Sequence, residues 1–330
     1  MSDDLNWFRR YGLLFFFILT YSISWGLFLF YIFVPSDLSL LLIIFGIYSP
    51  AISALIVSKL TGEKESKNKS KFRWIIFILI WIFGSSIFII NYVVQMTNIS
   101  MCILIGAIIL GILPAITFLA GFSSNPEIKG VFHTYIKPKG HYIYYLFAIL
   151  YLPGIFLIGI GVNLLLGQPV DWIDLPEGAN LIFLIFVTFF YTFFFGAGTN
   201  EEPGWRGFAL PKLQTKFSPI IASLILGVIW ALWHAPIYLP QYGSILAFSL
   251  FVFNTIKITV LLTWLYNRTG GSVLACALLH TTGNITFEFL PSTLASSLID
   301  IAITVMVIFF DRMWKRLNNE PDGIRKMNGL

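Results

Sequence analysis

Apolar runs of about 20 residues recur along the chain, at about 11–34, 38–58, 74–94, 101–122, 142–166, 181–199, 219–239, 245–266, 272–290 and 293–313. Each is long enough to cross a hydrocarbon core of ~30 Å as a helix. The pattern predicts an all-α, polytopic transmembrane bundle of about ten spans, within a range of roughly eight to ten. The connections alternate in charge. Arg9 and Arg10 precede the first run, Lys59, Lys64, Lys67, Lys69, Lys71 and Arg73 follow the second, and Lys129, Lys137 and Lys139 follow the fourth. Lys212 and Lys216, then Arg268, then Arg312, Lys315, Arg316, Arg325 and Lys326 continue the series. The intervening connections hold Asp37, the Asn98 region, Asp171, Asp174 and Glu177, and the Gln241/Tyr242 stretch, with almost no basic residue. Lys and Arg collect on the cytoplasmic side, so both termini are expected in the cytoplasm. The first run extends to about Val34 without a small-residue cleavage site, which favours a span over a secretory signal.

Composition sharpens this picture. The chain is 57% hydrophobic, 17% aromatic and only 11% charged, against about 45–50% apolar and about 25% charged in soluble domains. The net charge of +5 comes from residues spaced between apolar runs rather than from one basic patch, so it reports topology and implies no nucleic-acid partner. Cys102 and Cys276 lie inside apolar runs and suggest neither a disulfide framework nor a cysteine metal site. No soluble domain is visible. Thr61 to Lys71 reads as a solvated loop, and the many Phe, Trp and Tyr residues as lipid contacts and interfacial belts. The expected organisation is a single membrane domain: spans of unassigned role over 1–180, a core carrying the chemistry over 181–290, and a last span with a basic cytoplasmic tail over 291–330.

Against this background the stretch Asn200-Glu201-Glu202-Pro203-Gly204-Trp205-Arg206-Gly207 is anomalous, because an ionised group at the bilayer centre costs roughly 3 kcal/mol or more. Gly196 and Gly198 weaken the helix before it. Asn200 is a favourable N-cap, and Pro203 is tolerated in a first turn. Span six is therefore expected to be broken, with a second helical piece from about Glu201 to Gln214. Within it, Glu202 and Arg206 stand at i, i+4 with the acid N-terminal, the better orientation for an ion pair. Glu201, about 100° further round, is left free.

Two later segments supply partners. Trp230 and His234 share one helix face, as do His280 and Asn284. A hairpin bent at Phe217/Ser218 places Glu201 and His234 at equal distances from the bend, so a carboxylate and an imidazole should meet, with Pro236 bending the helix just beyond. His280 and Asn284 have the chemistry to donate to a developing oxyanion. Glu201, assisted by His234, then acts as general base on a water. The same Glu201/His234/His280 trio could instead hold a zinc ion, and the residues leave that choice open. Asn254 and Lys257 share a face of span eight and read as an interhelical hydrogen bond with a snorkelling lysine. Asp300 has no evident partner in the sequence.

Glu201-Glu202-x-x-x-Arg206, Trp230-x-x-x-His234 and His280-x-x-x-Asn284, in this order, resemble the motifs of the CPBP family of intramembrane proteases, the CAAX protease and bacteriocin-processing (Abi) family. The wording Glu-Glu-Pro-Gly-Trp-Arg-Gly and Trp-His-Ala-Pro is similar to its bacterial branch. Trp230 stands where the family most often has Phe, a change expected to matter little. The resemblance implies an intramembrane endopeptidase with Glu201 as base, His234 as its partner on the water, His280 and Asn284 as oxyanion stabilisers, and Glu202 and Arg206 in support. It implies a peptide or membrane-protein substrate and leaves a divalent metal such as zinc undecided. The Ile/Phe/Lys/Asn-rich composition suggests a low-GC bacterium and its plasma membrane, with peptide processing, bacteriocin self-immunity or membrane-protein turnover as the role. The rivals are a transporter in which Glu201, Arg206 and Lys257 relay protons or ions, and an inactive immunity or scaffold protein.

Overall fold

A computed structural model describes residues 3–62, 71–95, 99–173 and 180–317. The sequence features at Lys64, Lys67, Lys69, the Asn98 region, Asp174, Glu177, Arg325 and Lys326 lie outside the described residues. The described chain is all-helical: α1 (Asp3–Phe30), α2 (Ser36–Ile47), α3 (Ser49–Thr61), α4 (Phe72–Gln95), α5 (Met101–Leu110), α6 (Ile112–Ala120), α7 (Pro126–Ile136) and α8 (Tyr142–Leu165). Then follow α9 (Leu181–Tyr191), α10 (Gly198–Glu202), α11 (Leu210–Gln214), α12 (Pro219–Trp233), α13 (Ala235–Tyr242), α14 (Ile245–Arg268), α15 (Val273–Phe289) and α16 (Leu294–Phe310). Two π-helical stretches, Thr192–Gly196 and Pro203–Ala209, flank α10.

Among the described residues, six helical segments are long and apolar enough to cross a membrane, or up to eight if each of two bent pairs is one span. The bent pairs are α2 with α3, at 43°, and α12 with α13, at 69°. Both bends fall where a proline enters the first turn of the second helix, Pro50 and Pro236, which removes an N–H from the ladder. The ninth and tenth expected runs are helices of 17 residues each. The ninth, α15, is interrupted in its apolarity by buried His280, Thr281, Thr282 and Thr286.

Large aliphatic and aromatic side chains are exposed all along α1, α4, α8 and α9, as expected of surfaces in contact with acyl chains. Inside, two apolar clusters form. One joins Phe16, Trp205, Phe208, Trp230, Trp233 and Leu279, and the other Tyr48, Tyr135, Phe193, Phe194, Phe195 and Ala277. The short α10 connects the Phe193–Phe195 stretch of one cluster to Trp205 of the other.

The aromatic residues are not only lipid contacts. Tyr21 donates to the carbonyl of Ile229, and Trp25, one turn on, donates to that of Trp233 at 3.1 Å. Two i, i+4 pairs are thereby laced together, fixing α1 against the end of α12. Tyr48 likewise donates to the carbonyl of Phe194. Such interhelical bonds each contribute roughly 0.6 kcal/mol in membranes, and these three hold both sides of the broken region.

Candidate active site

The break in span six falls earlier than the sequence suggests. Ala197 leaves helical geometry, at φ −163° and ψ −64°, and the chain re-enters a helix at Gly198. Asn200 is therefore not the N-cap. It lies inside α10, fully buried, and neither polar atom of its side chain has a partner among the described residues. The glycines explain the placement. A Cβ on Gly198 would lie 2.9 Å from Thr281 Oγ1 and 3.0 Å from the Phe193 ring, and one on Gly204 would lie 2.5–2.6 Å from Pro50. The segment is pressed against α15 on one side and α3 on the other, so tertiary packing rather than capping sets where it begins.

This close approach builds an enclosed ionic network. Glu202 and Arg206, both completely buried, pair at 2.8 Å across one turn. Glu202 Oε1 also receives His280 Nδ1 at 2.8 Å. The Arg206 guanidinium lies 4.3 Å from the centroid of the Trp230 ring and its Nη2 donates to Thr259 at 3.4 Å. Tyr135 and Thr199 hydroxyls meet at 3.0 Å beside it.

Glu201 is treated differently. It is 3% exposed and makes no ion pair among the described residues. Its Oε2 accepts from the indole N–H of Trp230 at 2.6 Å and of Trp205 at 3.3 Å, and no described donor reaches Oε1. Glu201 thus bonds to Trp230, and among the described residues no hydrogen bond joins it to His234, although the hairpin argument expects the two to meet. The reason is the π-helical stretch Pro203–Ala209, in which each turn takes more residues. The chain advances less per residue there, which an equal count of residues on either side of the bend does not allow for.

His234 occupies the 69° bend, where α12 ends and Pro236 prevents its continuation. Its Nδ1 lies 2.9 Å from the carbonyl of Trp230. A carbonyl only accepts, so Nδ1 carries the proton and a neutral ring presents Nε2 as an acceptor. The ring stacks on Tyr238 at 5.2 Å and meets Phe251 edge-on at 5.3 Å. His280 is oriented by the same logic through Glu202, with its ring edge-on to Trp230 at 5.0 Å. Asn284, one turn further along α15, is exposed. Trp230 thus touches Glu201, Arg206, His280 and the backbone-anchored His234.

A second polar cluster lies away from this network. Lys257 forms an ion pair with Asp300 and donates to Asn254 at 3.1 Å, and Tyr151 donates to Asp300 at 2.6 Å. Asp300, without an evident partner in the sequence, has two here, and no continuous chain of hydrogen bonds among the described residues links Lys257 to Glu201 or Arg206. The snorkelling-lysine account of Lys257 gives way to a partly buried ion pair. Sequence reasoning also missed Trp205 as a donor, although its i+4 spacing from Glu201 was visible, and Thr259, which belongs to a Thr255/Thr259/Thr263 stripe on α14.

The zinc option does not fit this arrangement. Among the described residues no group of three His, Cys, Asp or Glu side chains is placed to hold a metal. Glu201 Oε2 is already taken by two indole donors.

Residues 182–286 match the family model described as Type II CAAX prenyl endopeptidase Rce1-like. A curated relative, CAAX prenyl protease 2 of Methanococcus maripaludis, is 23% identical over 175 residues, covering 48% of this chain and 61% of the relative. The match therefore spans less than two thirds of that relative's length. The family-model match runs from the start of α9 into α15 and takes in every motif residue from Glu201 to Asn284. The resemblance carried by the three motifs is supported at the level of the CAAX protease family.

Proposed function

We propose that this integral membrane protein is an intramembrane endopeptidase in which Glu201 is the general base on a water that attacks a peptide carbonyl. The observation that carries the reading is the unequal treatment of two adjacent buried carboxylates. Glu202 is neutralised by Arg206 and committed to His280, whereas Glu201 is held only by neutral N–H donors and keeps one oxygen unengaged. A carboxylate so held retains its basicity for a reacting proton, and geometry comes before pKa in recognising a base.

His280 and Asn284 stabilise the oxyanion. Nδ1 of His280 faces Glu202, so Nε2 donates to the oxyanion when the ring is protonated, and the oxyanion itself offsets the charge that results. His234 presents Nε2 to the attacking water. No step requires a metal. The composition and the wording of the motifs favour a bacterial plasma-membrane enzyme acting in peptide processing, bacteriocin self-immunity or membrane-protein turnover. The relay that a transporter needs is interrupted, because Lys257 is tied to Asp300 rather than to Arg206.

The test is cleavage of a broad peptide library by the purified protein in lipid nanodiscs, comparing the parent with Glu201→Gln and repeating the assay with a chelator. The parent should yield fragments, the variant none, and the chelator should change little. Fragments from both proteins would sink Glu201 as the base, and chelator-sensitive cleavage would restore the metal reading. Solute flux that Glu201→Gln abolishes, with no cleavage, would point to the transporter.

A further inference from the structure

Trp230 stands where the family resembled in the motifs most often has Phe, and a phenyl ring presents a face and an edge but no donor. Here the donor is used. The indole N–H of Trp230 reaches Glu201 Oε2 at 2.6 Å, and that of Trp205 reaches the same oxygen at 3.3 Å. Both rings are almost fully buried, Trp205 at 0% and Trp230 at 3% exposure, so neither bond competes with bulk water. Both rings are also fixed from outside the pair. Trp205 meets Phe16 edge-on at 5.7 Å and Trp233 edge-on at 5.8 Å, and Trp233 donates in turn to Ser24 of α1. Trp230 has Arg206 over its face at 4.3 Å and the His280 ring perpendicular to it at 5.0 Å.

The cation over the Trp230 face does more than pack. It draws electron density from the indole and makes the N–H a stronger donor toward an anion, so the Arg206 charge acts on Glu201 through the ring as well as on Glu202 directly. We infer that Trp205 and Trp230 are positioning residues that clamp Glu201 by Oε2 and leave Oε1 as the oxygen that takes the proton from water. The inference rests on the endopeptidase reading and deepens it. It also changes the expected weight of the Phe-to-Trp departure, which here adds a hydrogen bond to the base rather than replacing one aromatic wall by another.

A carboxylate without this clamp can rotate about its terminal bond, which is broad and roughly two-fold, and a base misaimed by an ångström loses about 10²-fold in rate. The test replaces Trp230 with β-(3-benzothienyl)alanine, which keeps the fused rings and exchanges the N–H for sulfur, alongside Trp230→Phe and Trp205→Phe. On a peptide that the parent cleaves, the sulfur isostere should lower kcat by about 10- to 100-fold with KM within about twofold. Trp230→Phe should do the same, and Trp205→Phe less, because its bond is longer. The sulfur isostere preserves shape, so it guards against a loss that comes from misfolding.

A second readout needs no substrate. In the ¹⁵N spectrum of indole-labelled protein in nanodiscs, the N–H signals absent from Trp230→Phe and Trp205→Phe should be the ones that move in Glu201→Ala. An unchanged kcat with the isostere, or a Trp230 signal indifferent to Glu201, overturns the inference. Failure of the endopeptidase reading looks different: the parent cleaves nothing while the two signals still respond to Glu201→Ala. The contact would then stand and the positioning role would fall with the catalytic one.

Discussion

Two of the ion pairs among the described residues, one partly and one fully buried, are built in opposite ways. Lys257 and Asp300 join two regular helices, α14 and α16, with Asn254 and Tyr151 completing their bonding. Both side chains keep slight exposure, 13% and 8%. Glu202 and Arg206 sit at 0% exposure on a chain that is broken before them and π-helical after them. There the second carboxylate, Glu201, is brought in without a counter-ion of its own. The contrast separates two uses of buried charge. A pair that satisfies itself on intact helices ties them together, whereas a pair that leaves an adjacent anion held by neutral donors maintains a reactive group. The cost of the second arrangement is visible in Glu202 Oε2, Arg206 Nε and the Asn200 amide, buried atoms without partners among the described residues.

The largest expected effect separates the two regions by activity. Glu201→Gln should reduce cleavage by about 10²–10⁴-fold, the range of general-base catalysis, while the thermal midpoint in nanodiscs stays near that of the parent. A variant that cleaves normally would erase the distinction. Arg206→Ala comes next. It leaves Glu202 buried and ionised with only His280 beside it, at a cost of roughly 3–5 kcal/mol, and strips the cation from the Trp230 face. Both folded yield and activity should fall, and a stable, active variant would show that the pair is dispensable. His280→Ala should be milder in stability, because Arg206 still neutralises Glu202, but it removes a group assigned to the oxyanion. Its signature is a folded protein with little turnover; an unfolded one would make His280 a packing residue.

The helical class, the membrane location and the Glu202–Arg206 pair were legible in the sequence because each depends on local periodicity: 20-residue apolar runs, sparse charge, and i, i+4 spacing. The bend at His234 was legible too, since proline acts on its own turn. What sequence spacing misplaced depended on neighbours. The helix start moved to Gly198 because the segment is pressed against Thr281 at Gly198 and against Pro50 at Gly204, and no capping preference reports such contacts. Glu201 bonds to Trp230 rather than to His234, and Pro203–Ala209 winds as a π-helix, which hairpin arithmetic with α-helical spacing cannot anticipate. Asp300 lacked a partner on paper because Lys257 and Tyr151 are 43 and 149 residues away in the chain.

The smallest expected effect is the most informative about the comparison. Lys257→Met alone leaves Asp300 its bond from Tyr151, so destabilisation should stay at about 1–3 kcal/mol. Replacing the pair together, Lys257→Met with Asp300→Leu, removes both charges and should return stability to within about 1 kcal/mol of the parent or raise it, because apolar replacement of a buried pair recovers its desolvation cost. Cleavage should remain within about twofold, since no bond connects this pair to Glu201. The matching exchange at the other site, Glu202→Leu with Arg206→Met, has the same effect on net charge but takes away the orientation of His280 and the cation over Trp230. It should abolish cleavage even where the fold survives. Equal losses from the two exchanges would mean that the Lys257–Asp300 pair is coupled to the site through α14, which carries both Lys257 and the Thr259 hydroxyl that receives Arg206.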